Sequence, residues 1–478
     1  MSIVAAFAVP HPPLIIPAVG HGREEGIRAT VEAYQEVARR IERLAPQTIV
    51  LSSPHATCYR DYVHVSPGTG ARGDFLQFGA PDAAYEADYD SAFVSALDAA
   101  AQADALSAGS QGERSPELDH GTLIPLHFVR EAYTRAGHAV DFKLVRMGIS
   151  GLSPADHYRM GMLVQRCADV LGRRVVYVAS GDLSHKLLEE GPYGFAPEAP
   201  RFDDHVCQAF RSGSFLDLLT TDHSLAKRAA ECGLRSFQIM AGALDQTEVK
   251  AELLSYEGPF GVGYGVAAFT PCGEERASFS RAFLPQYEEA RDRKMRELRS
   301  HEDSLVRLAR RAVETFVREG VRPDAEGLLD NPLAPEVEEL SSPSGCFVSL
   351  TLNGELRGCI GTILPVRRNL AEEIVANALS AACHDPRFSP VRKDELAQLV
   401  YDVDVMGKPE SISDASQLDP RRYGVIVSTS DGRHGLLLPD LDGVDGTQSQ
   451  ISIAARKGGI SLTDDDWRLE RFEVVRHR

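Results

Sequence analysis

The feature that most constrains this chain is an uncharged apolar run near its amino-terminal end, Ile3–Val9, which stops at Pro10. The run is too short to span a membrane and is typical of a strand buried on both faces of a parallel sheet. Proline has no backbone N–H to donate to a neighbouring strand, so the strand is expected to end there. His11 therefore lies just beyond the carboxyl end of the strand, the edge at which open parallel sheets bind ligands.

The same order, a buried strand followed by a histidine, occurs twice more. The strand predicted at Thr48–Leu51 precedes His55, and the strand predicted at Val175–Ala179 precedes His185. If the three strands lie parallel in one sheet, their carboxyl ends meet at one edge and the three histidines converge there. Each histidine taken alone has another interpretation, as an ordinary capping or turn residue.

Helical periodicity between the first two strands supports a parallel sheet. Apolar residues recur at helical spacing from Ile27 to Ile41, with Glu and Arg between them, which predicts an amphipathic helix. A strand, a helix and a strand in this order require a right-handed crossover between parallel strands. The Gly-rich stretch Thr57–Asp82 is predicted to be a loop over the histidine edge. We therefore expect a three-layer α/β domain with a mostly parallel sheet.

A chain of 478 residues is too long for one ordinary core. We expect an N-terminal domain over residues 1–272, a charge-dense linker over 273–294 and a smaller α+β domain over 295–478. The second domain is predicted to begin with the amphipathic helix Ser304–Glu319 and to continue with a hairpin whose turn is Asn353-Gly354.

Charge and cysteine usage exclude several classes of protein. The net charge of −18 argues against a nucleic-acid or anionic-membrane partner, because no basic surface dominates. No apolar run approaches the roughly 18 residues of a membrane span, and no basic segment precedes the first run, so we expect neither an anchor nor a signal peptide. The eight cysteines form no CxxC pair, which favours a reducing, cytoplasmic location.

The predicted histidine edge has the composition of a metal site. Two neutral imidazoles and one anionic ligand on one face form the facial triad of non-haem Fe(II) oxygenases, which leaves positions open for substrate and dioxygen. His11 and His55 supply the imidazoles, and either Glu231 or Cys232 supplies the third ligand. Glutamate gives a hard oxygen site, whereas a thiolate is compatible with iron, copper or zinc. Alternatively, Glu231 is a solvated helix-end residue and Cys232 a small buried one.

Two further histidines are candidates for acid–base chemistry, because histidine moves protons near neutral pH. His185 follows the third strand, and His120 lies close to the start of a predicted helix. Asp182 is placed either to orient His185 or to cap the turn that follows it.

Several of these motifs resemble the LigB-type class III extradiol dioxygenases over roughly residues 1–270. The motifs are His11-Pro12-Pro13, Ser53-Pro54-His55, Asp119-His120-Gly121 and Ser180-Gly181-Asp182 with Ser184-His185. The resemblance implies Fe(II) bound by His11 and His55, dioxygen as co-substrate, and a catecholic substrate that His185 deprotonates. It also implies that His120 binds the substrate or stabilises bound oxygen.

The stretch Glu231-Cys232-Gly233 resembles the Memo branch of that superfamily, in which a cysteine takes the third-ligand position. Memo proteins share the fold without an established dioxygenase role. The resemblance therefore also allows a non-catalytic, metal-binding accessory module. A zinc hydrolase on the same ligands is a third hypothesis.

The second domain resembles the AMMECR family over roughly residues 295–478. The motifs are LRGCIGT at 356–362, HDPRF at 384–388, GLLLP at 435–439, and Lys457-Gly458-Gly459 with Trp467. Arg357 and Cys359 are expected to be displayed on a tight strand turn, where Cys359, Asn353 and His384 could form a nucleophile or ligand pocket. The alternative is a buried turn with an inert thiol. The pair of domains resembles the AmmeMemoRadiSam system, which implies a radical-SAM protein as partner.

Overall fold

The computed structural model describes residues 2–272, 279–329, 340–441, 443–444, 446–463 and 465–478. The chain forms two compact units, Met1–Arg291 and Asp292–Arg478. Of the predicted linker over 273–294, residues 273–278 lie outside the described residues, and the helix Phe283–His301 begins within the remainder. None of the described helices is long and apolar enough to cross a membrane.

The first unit alternates strands and helices for most of its length. Its strands are β1 (Ile3–Val9), β2 (Thr48–Ser52), β3 (Val63–His64), β4 (Gly70–Phe75), β5 (Ala80–Asp88), β6 (Ala108–Gly109), β7 (Lys143–Met147), β8 (Val175–Ser180), β9 (Val249–Glu257) and β10 (Tyr264–Pro271). Its helices are α1 (Pro17–Gly20), α2 (Arg28–Leu44), α3 (Ser91–Ala103), α4 (His120–Ala136), α5 (Pro154–Val170), α6 (Glu198–Ser212), α7 (Phe215–Leu219), α8 (His223–Ala229) and α9 (Leu234–Ala243). The helix α10 (Phe283–His301) contains the boundary between the units.

The central sheet of the first unit has the strand order β7-β2-β8-β1-β10-β9. The first four strands in this order are mutually parallel, whereas β10 is antiparallel to β1 and β9 is antiparallel to β10. Val9 pairs with Ser180, and Ser52 pairs with Ala179, so β1, β8 and β2 end at almost the same level. The mostly parallel sheet predicted from the sequence is confirmed, and the loops that follow these three strands are neighbours.

Helices cover both faces of this sheet. Ala6, Val50 and Tyr177 belong to a core cluster that includes side chains of α3, α5, α6, α7 and α9. Their chain neighbours Phe7 and Leu51 belong to a second cluster, which includes side chains of α2 and α4. Since both faces of each central strand are buried, apolar side chains are favoured at every position. The three-layer α/β fold is confirmed.

The prediction of a loop over Thr57–Asp82 was wrong in part. Residues 70–88 contain an antiparallel hairpin in which β4 pairs with β5. Half-buried Ala83, Tyr85 and Ala87 of β5 alternate with exposed residues, but two alanines and one tyrosine give only a weak apolar signal in the sequence. The hairpin is held by the backbone pairing of β4 with β5, which does not depend on a strongly apolar sequence.

The second unit consists of antiparallel sheets with helices packed on them. Its strands are β11 (Cys346–Leu352), β12 (Glu355–Gly361), β13 (Leu399–Met406), β14 (Glu410–Ile412), β15 (Gly424–Thr429), β16 (His434–Leu437), β17 (Trp467–Phe472) and β18 (Val474–His477), and its helices are α11 (Ser304–Glu319), α12 (Leu370–Cys383) and α13 (Thr447–Lys457). The strand orders are β12-β11-β13-β18 and β14-β17-β15-β16. Asn353 and Gly354 have φ of 53° and 81° and form the predicted hairpin turn. The predicted α+β class is confirmed.

Candidate functional site

The site lies where β1, β2 and β8 end, and the shape of the backbone there fixes His11. The Tyr34 hydroxyl donates a hydrogen bond to the Pro10 carbonyl at 2.5 Å. The His11 N–H donates to Asp182 Oδ1 at 2.7 Å, which joins the end of β1 to the end of β8. The His11 ring is buried, and its Nδ1 lies 3.0 Å from Ser180 Oγ. The contact at Nδ1 thus orients the ring, and Nε2 points to the side away from Ser180.

Two side chains of metal-ligand type converge on that nitrogen. His55 Nε2 lies 3.0 Å from His11 Nε2, and Cys232 Sγ lies 3.6 Å from His11 Nε2. The three ligand atoms all lie within 4.8 Å of one another. Asp182, His185 and Cys232 form a second such group, so the thiol belongs to both. The structure therefore brings together the histidines of three strand ends and one cysteine.

Cys232 reaches this edge because of a close backbone contact. The Gly233 N–H donates to the Asp182 carbonyl at 3.0 Å. A Cβ atom on Gly181 would lie 2.2 Å from the Cα of Gly233, so the two segments approach as closely as only glycine allows. This contact places Cys232 beside the end of β8.

Glu231 lies next to Cys232 in the chain, but its side chain has another partner. Its carboxylate accepts a hydrogen bond from the Leu234 N–H at 2.7 Å, at the start of α9. Burial raises the pKa of this carboxyl group. Of the two residues proposed as third ligand, the thiol and not the carboxylate is grouped with His11 and His55 in the described part of the chain.

His120 forms part of the same cluster of rings. It is the first residue of α4, and its ring centroid lies 4.1 Å from that of His55 and 5.4 Å from that of His11. Phe78 contacts the His120 ring edge-on at a centroid distance of 5.3 Å. An aromatic side chain from the β4–β5 hairpin therefore forms one wall of the site.

The segments that carry His55 and His120 are tied together by Asp119. Asp119 caps α4 by accepting from the Thr122 N–H at 3.1 Å, and it accepts from the Ser53 hydroxyl at 2.5 Å. Ser53 Oγ in turn accepts from the His55 N–H at 3.2 Å. The fully buried Arg146 guanidinium lies 3.0 Å from Asp119 Oδ2. Burial alone would raise the pKa of Asp119, but Arg146 and the hydroxyl donors lower it on balance.

Arg146 was not predicted from the sequence. Its only signal is a charged residue within the buried part of β7, between Val145 and Met147. A buried arginine needs an anionic partner, because an unpaired charge in the core is costly. That rule predicts a carboxylate nearby without identifying it.

His185 lies at the other side of the cluster. Its N–H donates to the Ala229 carbonyl at 2.9 Å, and its ring meets Tyr193 edge-on at a centroid distance of 5.4 Å. The buried Nδ1 of His185 has no hydrogen-bond partner among the described residues. No hydrogen bond joins Asp182 to the His185 ring in that part of the chain, because the Asp182 carboxylate faces His11.

Burial controls the protonation of the cluster. It lowers the pKa of His11 well below the ordinary value, and His55 lowers it further. Burial, His55 and His11 together lower the pKa of His120 to about 3. Burial raises the pKa of Asp182 to about 6 and that of the Cys232 thiol well above its usual range. The imidazoles of His11, His55 and His120 are thus neutral at physiological pH, because burial lowers the pKa of each, and this is the form that binds a metal ion.

The candidate residues of the second unit have separate environments. Arg357 is buried and donates to both carboxylate oxygens of Glu395, at 2.7 and 3.0 Å. Cys359 Sγ accepts from the Ser349 hydroxyl at 3.2 Å, and burial raises the pKa of this thiol. His384 is exposed at the end of α12 and makes no hydrogen bond to Cys359 in the described residues. Arg357 is therefore engaged in a buried ion pair.

Comparison with known families gives a match for each unit. A family model described as the catalytic LigB subunit of aromatic ring-opening dioxygenase matches residues 5–267. The model of the AMMECR1 family matches residues 306–477. A protein of Clostridium acetobutylicum is 36% identical over 494 aligned positions that cover all of both chains. A protein of Thermotoga maritima is 46% identical over 180 positions, which are 37% of this chain and 98% of the other.

Two crystal structures of uncharacterized proteins are also similar. The Pyrococcus horikoshii protein is 30% identical, with a TM-score of 0.32, over 36% of this chain and 88% of that chain. The Escherichia coli protein is 17% identical, with a TM-score of 0.35, over 55% of this chain and 99% of that chain.

Proposed function

The chain belongs to the family of LigB catalytic subunits of aromatic ring-opening dioxygenases and carries an AMMECR1 domain after it, and on this premise we propose that its first unit is a non-haem Fe(II)-dependent oxidoreductase. The substrate would be a small molecule with adjacent oxygen atoms, such as a catechol, and dioxygen would be the co-substrate. The observation that carries the proposal is the convergence of His11, His55 and Cys232 within 4.8 Å at the strand ends.

The donor set fits a divalent transition metal. Two neutral imidazole nitrogens and one sulfur suit iron, and they also suit zinc or copper. Metal binding requires the thiolate, so the raised pKa of Cys232 has to be overcome by a nearby cation. Bound Fe(II) would supply open positions for a chelating substrate and the redox chemistry that dioxygen requires.

The surrounding residues suit the handling of a catecholic substrate. The His185 Nδ1 has no partner among the described residues and is free to accept a proton from a substrate hydroxyl. His120, neutral because of its low pKa, can donate a hydrogen bond from its ring without adding charge. Phe78 offers an aromatic surface beside His120, and the exposed side of His55 gives access from solvent.

Metal analysis after anaerobic purification and iron reconstitution tests this proposal. We expect close to one iron per chain, and oxygen uptake with at least one member of a catechol panel. His11→Ala and Cys232→Ser should lose iron, while Cys58→Ser, at an exposed cysteine, should retain it. His185→Gln should retain iron and lose oxygen uptake. A reconstituted protein without bound metal would overturn the proposal.

A second candidate function follows from the thiol. A sulfur ligand in place of a carboxylate gives a softer site than the usual facial triad. This favours a metal-binding accessory module that acts with a radical-SAM protein, as in the AmmeMemoRadiSam system. Co-purification of the metal-loaded chain with such a partner, without oxygen consumption for any catechol, would support this function over the first.

A further inference from the structure

The second unit contains a cavity of about 350 Å³ whose lining is dominated by arginine. The lining residues are Arg421, Arg422, Pro439, Asp440, Val474, Arg476 and Arg478. Arg421 and Arg422 precede β15, Pro439 and Asp440 follow β16, and the others lie on or beside β18. Four guanidinium groups surround one cavity, and one carboxylate, that of Asp440, lines the cavity with them. One of the four arginines, Arg478, lies with its Nε 3.8 Å from Asp402 Oδ1.

The ion pairs of these arginines use only some of their guanidinium N–H donors. Arg476 donates Nε to Asp404 Oδ1 at 2.8 Å, and Arg422 donates Nε and Nη2 to Glu473 Oε1 at 3.0 and 2.8 Å. The Arg421 side chain has no ion pair or hydrogen bond among the described residues. A guanidinium carries five N–H donors, so each paired arginine still has donors to offer. The cavity thus presents more N–H groups than its own carboxylates accept.

The position of Arg476 is fixed by a buried carboxylate behind it. Asp404 is 4% exposed, so it holds Arg476 from within the sheet formed by β13 and β18. The Asp440 N–H donates to the Pro420 carbonyl at 2.8 Å, which ties together the loops on two sides of the cavity. The Arg476 guanidinium, which is held in this way, loses little side-chain entropy when it binds an anion.

We propose that this cavity binds a small molecule through a phosphate or carboxylate group. Arginine matches the planar pairs of oxygen atoms in these groups with two parallel hydrogen bonds. A volume of about 350 Å³ lies at the lower end of ligand pockets and suits a small metabolite better than a large cofactor. The site uses only residues of the second unit, so it does not depend on the metal chemistry proposed for the first.

Calorimetric titration of the full chain tests this site, with inorganic phosphate in one series and succinate in another. Chloride holds the ionic strength constant, because salt screens exposed charges. We expect saturable binding of at least one of the two anions, with one site per chain. Binding of phosphate alone would identify a phosphorylated ligand, and binding of succinate alone a carboxylate. If neither anion binds saturably, the proposal is wrong.

Variants separate this cavity from general charge effects. Arg421→Ala should weaken binding about tenfold, since it removes a charged donor. It should not disturb folding, because its side chain has no ion pair in the described residues. Arg476→Lys retains the charge and loses the paired geometry, so it should also weaken binding. Arg368→Ala is the matched control, because Arg368 is exposed and pairs with Glu372 outside the cavity.

Circular dichroism verifies that each variant is folded. Equal affinity of Arg421→Ala, Arg476→Lys and the unaltered chain would overturn the assignment. So would an equal loss of affinity in Arg368→Ala, since binding would then follow net charge and not the cavity.

Discussion

Asp203, in α6, is a fully buried carboxyl group beside the candidate site. It accepts hydrogen bonds from the Ser184 N–H and the Tyr256 hydroxyl, each at 2.8 Å. These bonds favour the ionised form, but burial outweighs them and raises the pKa of Asp203 to about 6. The folded chain therefore binds a proton at this residue that the unfolded chain releases near pH 4.

We expect this residue to make stability fall as pH rises. Its contribution to the free energy of unfolding is fully present below about pH 4 and is lost as pH rises toward about 6. In that range Asp203 ionises in the unfolded chain and stays protonated in the folded chain, which favours unfolding. Between pH 4.5 and 7 the loss is about 2 kcal/mol. Urea unfolding at both pH values should show that the free energy of unfolding falls less for Asp203→Asn than for the unaltered chain. Asp204→Asn, at the exposed neighbour, should retain it, and identical pH profiles for all three proteins would contradict the argument.

Strand-end residues were predictable one at a time, whereas their partners were not. The ends of β1 and β2 follow from apolar runs, and the structure places the rings of His11 and His55 with their Nε2 atoms 3.0 Å apart, as the parallel-sheet argument predicts. Their role as metal ligands stays a prediction. The choice between Glu231 and Cys232 depends on the contact of Gly181 with Gly233, which no local pattern encodes.

At the scale of elements, the position of α9 depends on its contact with α5. A Cβ atom on Gly161 would lie 1.9 Å from the Ile239 carbonyl oxygen, and one on Gly242 would lie 1.9 Å from the Tyr158 carbonyl oxygen. The two backbones therefore meet without intervening side chains. Since α9 begins two residues after Cys232, this crossing also sets where the thiol lies.

Gly161→Ala should consequently affect both stability and the site. We expect unfolding free energy to fall by roughly 1–3 kcal/mol, because overpacking moves helix backbones apart. Iron affinity should fall as well, because α9 carries Cys232 with it. Gly327→Ala is the control, since nothing lies within 4 Å of its added Cβ. Urea unfolding and iron titration measure the two effects, and an unchanged Gly161→Ala protein would contradict this account of α9.

Helices and core strands were easier to predict than the exposed hairpin. The helix Ser304–Glu319 and the strand Ile3–Val9 have the predicted bounds, because the helix buries one regular apolar face and the strand is an apolar run. The β4–β5 hairpin was missed because the inner face of β5 carries two alanines and one tyrosine, which give a weak apolar signal. Apolar periodicity is the main sequence signal for a strand, and it is weak where the inward-facing side chains are small.

At the scale of the whole molecule, each unit has its own hydrophobic cores. Side chains of the first unit form two clusters, one on each face of its central sheet. Separate clusters form around Val348, Val427 and Phe472 in the second unit. Trp467, the only tryptophan of the chain, lies in β17 and so reports on the second unit.

Ligands should therefore stabilise the two units separately. Iron at about 100 times its dissociation constant should add about 2.7 kcal/mol to the unit that binds it. In thermal unfolding, we expect iron to raise a midpoint seen by far-ultraviolet circular dichroism while the Trp467 fluorescence midpoint stays fixed. The anion bound by the arginine cavity should raise the fluorescence midpoint. A single shared midpoint that moves with iron would contradict this expectation.

The fold class and the presence of two units could be predicted from the sequence, because they depend on chain length and on local patterns of apolar residues. The arginine cavity did not, because it combines residues from loops and a strand spread over residues 421–478. These residues are brought together by the pairing of β13 with β18, by the pairing of β15 with β16, and by the hydrogen bond from the Asp440 N–H to the Pro420 carbonyl.

His11 and Cys232 are 221 positions apart in the chain, although Cys232 Sγ lies 3.6 Å from His11 Nε2. On the ribosome, His11 and His55 emerge long before Cys232 is synthesised. A nascent chain therefore cannot present the thiol together with His11 and His55 until Cys232 has been made. Loading of a cation on all three donors would follow synthesis of most of the first unit.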